Sequence, residues 1–444
     1  MLREVTVENG KLKGMPGSDP RITAFRGVPF AAPPVGKNRW RAPQPAADWE
    51  GTREAYLFAP ISVQDTPALG DDIYCREWHV DSEIPMGEDC LYLNVWTPAK
   101  SADEHLPVLV WIFGGGFQWG YTAEMEFEGE RLASRGIIVV SVNYRLGAFG
   151  FLAHPEITKE APDAPGNFGL LDQQAGLMWV KRNIAAFGGD PDRITIAGQS
   201  AGGASVMAQL TSKANGDLIK GAAVLSGMIR NPKRDADMFV PATLSKAEKK
   251  GEDFFAFLGV DSLEKARELD AFTIRDRYAV YRNDHPFFVP ILDGKLVTED
   301  PMQLFLRGER TPVPVMAGYT SNEFIFDGVN IVEASVKGAF DEAEKNGDKS
   351  AHYCYRFDPD MPGWDDPGCF HSSDLWFFFE TLGKCWRPFR GRHYDLARLM
   401  SNYLADFVKT GDPNGKDDDG EPMPAWKPYV SADHFEMQFT TKEG

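Results

Sequence analysis

The stretch GDPDRITIAGQSAGGASVMAQL, Gly189 to Leu210, decides how the rest of the chain is read. Within it Arg193 to Ala197 reads as a short buried strand, Gly198-Gln199-Ser200-Ala201-Gly202 as a tight turn, and Gly203 to Leu210 as a helix of small and apolar residues. A serine held in a strained strand-to-helix turn leaves no room for a Cβ two positions away on either side, and Gly198 and Gly202 stand at those positions. The following helix points free N–H groups and the positive end of its dipole toward the serine, which favours negative charge on a reacting carbonyl oxygen. Ser200 is therefore the candidate nucleophile for acyl chemistry. The bland alternative is a chance G-x-S-x-G in a chain of 43 glycines, and the flanking strand and helix weigh against it.

Upstream, LPVLVWIF, Leu106 to Phe113, is a continuous apolar run of strand length, as expected for a parallel strand with both faces covered. It ends at Gly114-Gly115-Gly116, followed by Phe117. A backbone without side chains can bring N–H donors right up to a substrate oxygen, so these glycines are the oxyanion-hole candidate; a plain flexible turn is the alternative. GIIVVSVNYR is a second buried strand, and the segment beginning GNFGLLDQQAGLMWVKRN carries Leu171, Ala175, Met178 and Trp179 at helical spacing. Strand, helix, strand and elbow make a doubly wound α/β plan.

The remaining segments fit around this centre. RITAFRGVPF and EDCLYLNVWTP read as strand, with few regular signals between them from Asp48 to Gly87. After the elbow, GAAVLSG is the next strand and Pro241 to Arg282 a set of amphipathic helices. These predict a helical insertion, at about residues 235–370, over the sheet's carboxyl edge, where a lid or pocket wall can vary without disturbing the core. Strands return with TPVPVMAGYTSNEF and HYCYRF. A final helix from Tyr394 to Thr410 carries Leu396, Leu399, Met400, Tyr403 and Phe407 on one face and stops at Gly411.

Composition excludes several classes. With 444 residues, 43% hydrophobic and 25% charged, the chain can bury a large core. A formal net charge of −18 argues against nucleic acid and anionic membrane as partners, because both would repel it. No apolar run approaches the roughly 18 residues of a membrane span, and Met1 to Lys13 alternates like a strand instead of showing a signal peptide's apolar block; the expectation is a cytoplasmic protein. Five cysteines without close CxxC pairs suggest neither a disulfide framework nor a zinc cluster.

A serine nucleophile requires a base and an orienting acid. In the order Ser, Asp/Glu, His, the base lies late in the chain, leaving His352, His371, His393 and His434, of which His371 sits in a loop, GCFHSSD, after a strand. For the acid, Glu323 in GYTSNEF follows a strand, with Asp327 and Asp293 as rivals. On these grounds Glu323 and Asp327 are not separated.

The stretches FRGVPFAAPPVG, EDCLYLNVW, WIFGGGF, GNFGLLDQQAGLMWVKRNIAAFGGDPDRITIAGQSAGG, FFVPILDG, GYTSNE, GCFHSSD and DFVKTGDPN resemble the type-B carboxylesterases, the family of carboxylesterases, cholinesterases and bacterial p-nitrobenzyl esterases. The resemblance runs over most of the chain. It implies an α/β-hydrolase fold in a single catalytic domain over residues 1–444, with hydrolysis of carboxylic esters through an acyl-enzyme. It implies a triad of Ser200, Glu323 and His371, with an oxyanion hole from the N–H groups of Gly115, Gly116 and Ala201. The substrate pocket is expected to involve Phe117, Trp119, Gln199, Pro286, Phe287 and Phe288, with a small-molecule ester as partner and no metal or organic cofactor. An acyltransferase or amidase with the same triad, or a non-catalytic adhesion module, are the alternative readings.

Three departures from the family pattern stand out. Gln199 replaces the usual Glu before the serine. Cys75 and Cys90 occupy a place that is a disulfide in secreted relatives, and a reducing cytosol would keep them as thiols. The chain is also shorter than most members, with the loss falling in the helical insertion. The stretch NDHPFFVPILDG resembles the segment lining the acyl pocket and opens with Asp284, His285 and Pro286 in place of bulky rings, which predicts a roomier pocket for acyl groups larger than acetyl.

Overall fold

The computed structural model describes residues 1–229 and 240–442. A ten-stranded sheet forms its centre, from β1 (Met15–Pro16), β2 (Thr23–Pro29), β3 (Tyr92–Thr97), β4 (Leu106–Ile112) and β5 (Ile138–Val142) through β6 (Gly189–Gln199), β7 (Ile219–Leu225), β8 (Val315–Thr320), β9 (His352–Phe357) and β10 (Met437–Phe439). Their order across the sheet is β10-β9-β8-β7-β6-β4-β5-β3-β2-β1. From β5 across to β10 each neighbouring pair is parallel, whereas β3 joins β5, β2 joins β3 and β1 joins β2 antiparallel.

The apolar strands behave as their composition demands. Val108 to Ile112 and all of β5 and β8 are buried, so both faces of the sheet are covered there. The chain runs from β4 outward to β5, then crosses back to lay β6 on the other side of β4. That reversal is a topological switch point, and such a point leaves a crevice at the carboxyl ends of the two strands it separates. Gly114 follows β4 and Ser200 follows β6, so the two candidate segments meet at this crevice.

Several local expectations are refined. Met1 to Lys13 forms a hairpin, Glu4–Val7 with Gly10–Lys13, and Thr52–Glu54 joins it as a third strand from the segment that carried few signals. Helix α1 (Phe168–Asn183) buries more than the residues its spacing indicates: of those, Trp179 is buried while Leu171, Ala175 and Met178 are half-buried, and Asp172, Gln173, Gly176 and Leu177 are buried as well. Asp172 decides this, because its carboxylate takes both the Nε and the Nη2 of the equally buried Arg145, at 2.8 and 2.7 Å. A paired charge reads as polar in the sequence yet belongs inside. The middle of the chain is helical, with α2 (Ala201–Thr211) followed by α3 (Leu244–Leu258), α4 (Leu263–Glu268) and α5 (Ala271–Tyr281). The point at about residue 235 where the insertion was expected to begin lies outside the described residues. The final helix, α6, spans Gly391–Thr410 and ends on Gly411 at φ +77°.

All five cysteines are unpaired. No helix among the described residues is long and apolar enough to cross a membrane. Among the same residues no group of three His, Cys, Asp or Glu side chains is arranged to hold a metal ion.

Candidate active site

Ser200 stands between β6 and α2 at φ 55° and ψ −123°, a conformation that costs a non-glycine residue on the order of 1–3 kcal/mol and persists only where the surroundings enforce it. The surroundings here are backbone. Its N–H donates to Leu225 O at 2.9 Å, and its own carbonyl accepts from Ala204 N–H at 2.9 Å. A Cβ on Gly198 would lie 2.4 Å from Gly202 O, and one on Gly202 would lie 2.1 Å from Ile112 O. Neither position admits a side chain, so the two glycines seat the turn against the end of β4.

The glycine run lies directly beside the serine. A Cβ built on Gly114 would sit 3.1 Å from Ser200 Cβ and 2.6 Å from Gln199 O. Gly115 and Gly116 follow at φ +101° and +61°, and the carbonyl of Gly115 accepts from the N–H groups of Gln118 and Trp119, both at 2.9 Å. This loop is thus wound tightly on itself next to the nucleophile candidate. Ala201 is the first residue of α2, where an N–H has no intrahelical acceptor.

His371 and Glu323, from the segments that follow the neighbouring parallel strands β9 and β8, meet each other. His371 Nδ1 and Glu323 Oε2 are in hydrogen-bond contact, and the Glu323 side chain has no solvent exposure. Its other oxygen, Oε1, accepts from Ser226 Oγ at 2.8 Å and from Thr320 N–H at 2.8 Å, which leaves Oε2 aimed at the imidazole. The His371 carbonyl accepts from Tyr74 Oη at 3.3 Å, and the Phe324 ring stands edge-on to the imidazole with centroids 4.6 Å apart. Gln199 Nε2 lies 3.2 Å from His371 Nε2. Three residues on from the histidine, Asp374 is buried; burial pushes its carboxyl up to about 7, against the hydrogen bond that Tyr355 Oη donates to it at 2.7 Å.

The other candidates lie in different settings. His352 is buried, stacked on Phe340 with centroids 4.5 Å apart, and burial lowers its imidazole to about 4. His393 caps the start of α6, accepting from Arg390 N–H at 2.9 Å, and His434 is exposed beside Asp341 at 3.3 Å. Asp293 accepts from Lys295 and Val297 N–H at 2.8 and 2.9 Å, and Asp327 is exposed in a hairpin turn with Gly328.

Of the expected pocket residues, Phe117 is buried edge-on to Phe151, with centroids 5.1 Å apart. Trp119 donates its indole N–H to Asp65 at 2.8 Å and lies under the Arg282 guanidinium, 5.5 Å from the ring centroid. Phe288 turns inward against Phe254 and Tyr278, whereas Asp284, His285 and Pro286 are exposed and Phe287 leans edge-on against Trp119 at 5.7 Å. Ser226, Thr320 N–H and Tyr74 were not singled out in the sequence. They touch the His–Glu pair from three separate segments, and nothing local in those segments announces it.

A mostly parallel, doubly wound sheet with a strained serine at its switch point is the architecture of the α/β hydrolases, and this chain has that fold. The chain belongs to the carboxylesterase family, and so to the carboxylic ester hydrolases: the model of the "Carboxylesterase family" matches residues 2–349 and 333–444. Para-nitrobenzyl esterase of Bacillus subtilis (strain 168) is 31% identical over 467 aligned positions, covering 92% of this chain and 90% of its own. Fumonisin B1 esterase of Sphingopyxis macrogoltabida is 37% identical over 320 residues, and cholinesterase of Mus musculus 35% over 333. Those two matches take in 71% and 72% of this chain but only 55% and 53% of the relatives' own lengths. Among solved structures, a PNB esterase superposes with a TM-score of 0.81 at 28% identity, covering 99% of this chain and 96% of the other. A carboxylesterase of Geobacillus stearothermophilus does so with a TM-score of 0.79 at 27% identity and the same coverage.

Proposed function

We propose that the chain forms one catalytic domain that hydrolyses small neutral carboxylic esters through an acyl-enzyme, with Ser200 as nucleophile, His371 as general base and acid, and Glu323 as orienting carboxylate. Ser200 Oγ bonds to the ester carbon while its proton passes to His371 Nε2. The N–H groups of Gly115, Gly116 and Ala201 receive the developing oxyanion. As the tetrahedral adduct collapses, the bond to the alcohol oxygen breaks and His371 returns the proton to that oxygen. Water, deprotonated by the same imidazole, then releases the acid and restores Ser200.

The observation that carries this reading is the buried Glu323, held by Ser226 and Thr320 so that one oxygen faces His371 Nδ1. A carboxylate there fixes the proton on Nδ1, leaves Nε2 as the base and stabilises the imidazolium. Labelling with an organophosphate, followed by mass mapping, tests the nucleophile: the expected adduct is on Ser200, and an adduct on any other residue overturns the reading.

Two features bear on the substrate. Gln199 is uncharged, and the face of Trp119 is already covered by Arg282, itself paired with Asp65, so a cationic alcohol group meets no carboxylate at the one and finds the ring face of the other taken. A choline ester is expected to be cleaved with a kcat/KM about tenfold below that of its neutral carbon isostere; a choline ester cleaved faster than the isostere would refute this.

On the acyl side, Asp284 to Phe287 lie at the surface and Phe288 is taken up by the aromatic cluster of Phe254, Tyr278 and Tyr281. The rings of this segment therefore do not crowd together on a small acyl group, which supports medium-sized or aromatic acids as substrates. In a series sharing one alcohol, butyryl and cinnamoyl esters should match or exceed acetyl in kcat/KM. A fall of more than about tenfold beyond acetyl would mean a tight pocket, at the roughly 1–3 kcal/mol that such a pocket attaches to chain length.

A further inference from the structure

The loop that offers its N–H groups to the oxyanion is made of residues that cannot hold themselves. Gly115 and Gly116 have no side chains to pack, and glycine has the widest backbone freedom of any residue. Phe117 follows at φ 63°, a left-handed conformation that a bulky residue keeps only where its surroundings enforce it. Part of the hold is main chain: Gly115 O accepts from the N–H groups of Gln118 and Trp119, and Phe117 O accepts from Gly147 N–H at 2.8 Å. The rest comes from one side chain. Gln118 is 3% exposed, and its Nε2 donates to Gly116 O at 3.2 Å and to Phe288 O at 2.7 Å. Its Oε1 accepts from Tyr278 Oη at 2.7 Å, and that hydroxyl accepts in turn from Phe288 N–H at 3.0 Å. Gln118 and Tyr278 thereby close a ring of hydrogen bonds on both polar groups of the Phe288 main chain.

We infer that Gln118 is a positioning residue for the oxyanion hole: it anchors the Gly116 carbonyl to the main chain of Phe288, and Tyr278 completes the anchor from helix α5. A trans peptide sets its N–H opposite its C=O, so a carbonyl held in place aims the N–H across its own plane. The bonds to Gly115 O thus aim the Gly116 N–H, and the bond from Gln118 to Gly116 O fixes the next plane and restrains rotation about Gly116. An oxyanion is stabilised by donors that are already aimed when the charge develops, and a displacement near 1 Å is costly. An apolar side chain of the same length would fill the space of Gln118 but leave Gly116 O and Phe288 O without this donor in a buried place. The anchor reaches 170 positions along the chain, to the segment expected on the acyl side of the pocket. This inference rests on the proposed oxyanion role of Gly115 and Gly116, and it deepens that role.

The test compares the parent protein with Gln118→Met and Tyr278→Phe, using para-nitrophenyl acetate as substrate and benzyl trifluoromethyl ketone as inhibitor. Ser200 Oγ adds to the ketone carbon, its proton passes to His371 and no group leaves, so the adduct keeps a tetrahedral oxygen for the hole to hold. Gln118→Met keeps length but has no amide. It should lower kcat by about ten- to a hundredfold with KM within about twofold, and weaken the ketone's Ki by a similar factor. Tyr278→Phe removes one hydroxyl and leaves the bond from Gln118 to Phe288 O, so kcat and Ki should worsen together by a smaller, several-fold amount. The matching benzyl methyl ketone, which stays trigonal, should bind all three proteins within about twofold. A merely structural role would lower the thermal midpoint and leave kcat and Ki of the folded protein at parent values. A trifluoromethyl ketone Ki unchanged in both variants overturns the inference, and Tyr278→Phe decides alone should Gln118→Met not fold. Failure of that ketone to inhibit the parent, or an adduct away from Ser200, would overturn the acyl-enzyme reading and this inference with it, so the site of the adduct tells the two failures apart.

Discussion

Replacing Ser200 or His371 by alanine is expected to lower kcat for a para-nitrophenyl ester by about four to six orders of magnitude, the loss seen when a serine nucleophile or its base is removed. Neither change opens a large cavity. Ser200 is a small residue fixed by main-chain bonds to Leu225 and Ala204, so Ser200→Ala should keep its thermal midpoint within about 2 °C. The two effects should not add, because in the proposed mechanism the residues act on one proton: the double variant should resemble either single one. Glu323→Gln is the more informative change. The side chain would still fill its site between Ser226 and Thr320, but an amide there no longer stabilises imidazolium and can present a donor to Nδ1. A drop of about three to four orders in kcat is expected. If Glu323→Gln keeps near-normal turnover while Asp327→Asn does not, the acid has been assigned to the wrong carboxylate.

What the chain discloses before folding follows from the range over which each constraint acts. The elbow is legible because its residues are contiguous: the Gly202 oxygen excludes a Cβ at Gly198 within the same five residues, although the oxygen that excludes one at Gly202 belongs to Ile112 of β4. Strands β4, β5 and β8 are legible because burial on both faces demands a mainly apolar run, interrupted only by Ser141 in β5 and Thr320 at the end of β8. The buried face of α1 is only partly legible, for the opposite reason. Asp172 looks like a solvent residue until Arg145, packed from another segment, neutralises it. The same holds for Ser226 against Glu323 and for Tyr74 against His371, contacts spanning 97 and 297 positions that no local periodicity encodes. His371 itself is one late histidine among four by position. A direct hydrogen bond to a carboxylate with no solvent exposure distinguishes it from His352, whose Asp348 neighbour stands 3.5 Å away and whose Nε2 also meets Arg310, and from His393 and His434, whose aspartates are partly exposed; that bond exists only after β8 and β9 pair in register.

One such long-range contact carries a large stability effect. Arg387 is fully buried and bridges two segments that flank the histidine loop. Its Nε and Nη2 donate to Glu77 Oε1 at 3.0 and 2.7 Å, and its Nη1 and Nη2 donate to the two carboxylate oxygens of Asp365 at 2.9 Å each. A further bond runs from Nη1 to Pro362 O at 3.1 Å, and the guanidinium lies 4.6 Å from the Trp386 ring centroid and 5.5 Å from that of Phe370. Glu77 closes the short helix Tyr74–Glu77, whose Tyr74 reaches the His371 carbonyl, while Asp365 lies in the loop leading to His371. The hydrogen bonds from Arg387 hold the Asp365 carboxyl below the usual carboxylate range, so its contribution to stability is present above its unfolded value and is lost as pH falls through the lowered one. Arg387→Met removes the cation and leaves the Glu77 carboxylate, which has no solvent exposure, with only the neutral donors Trp386 Nε1 and Cys385 Sγ. Breaking a buried pair in this way costs about 3–5 kcal/mol, and a urea unfolding midpoint at pH 7 should report it. Adding Glu77→Gln and Asp365→Asn to Arg387→Met should recover most of the loss, since removing all the charges no longer leaves one uncompensated. The single variant should also lose kcat by about ten- to a hundredfold, because a loop displacement near 1 Å at His371 is enough to misalign proton transfer. An Arg387→Met protein with an unchanged urea midpoint and unchanged kcat would show that the clamp does not hold the histidine loop.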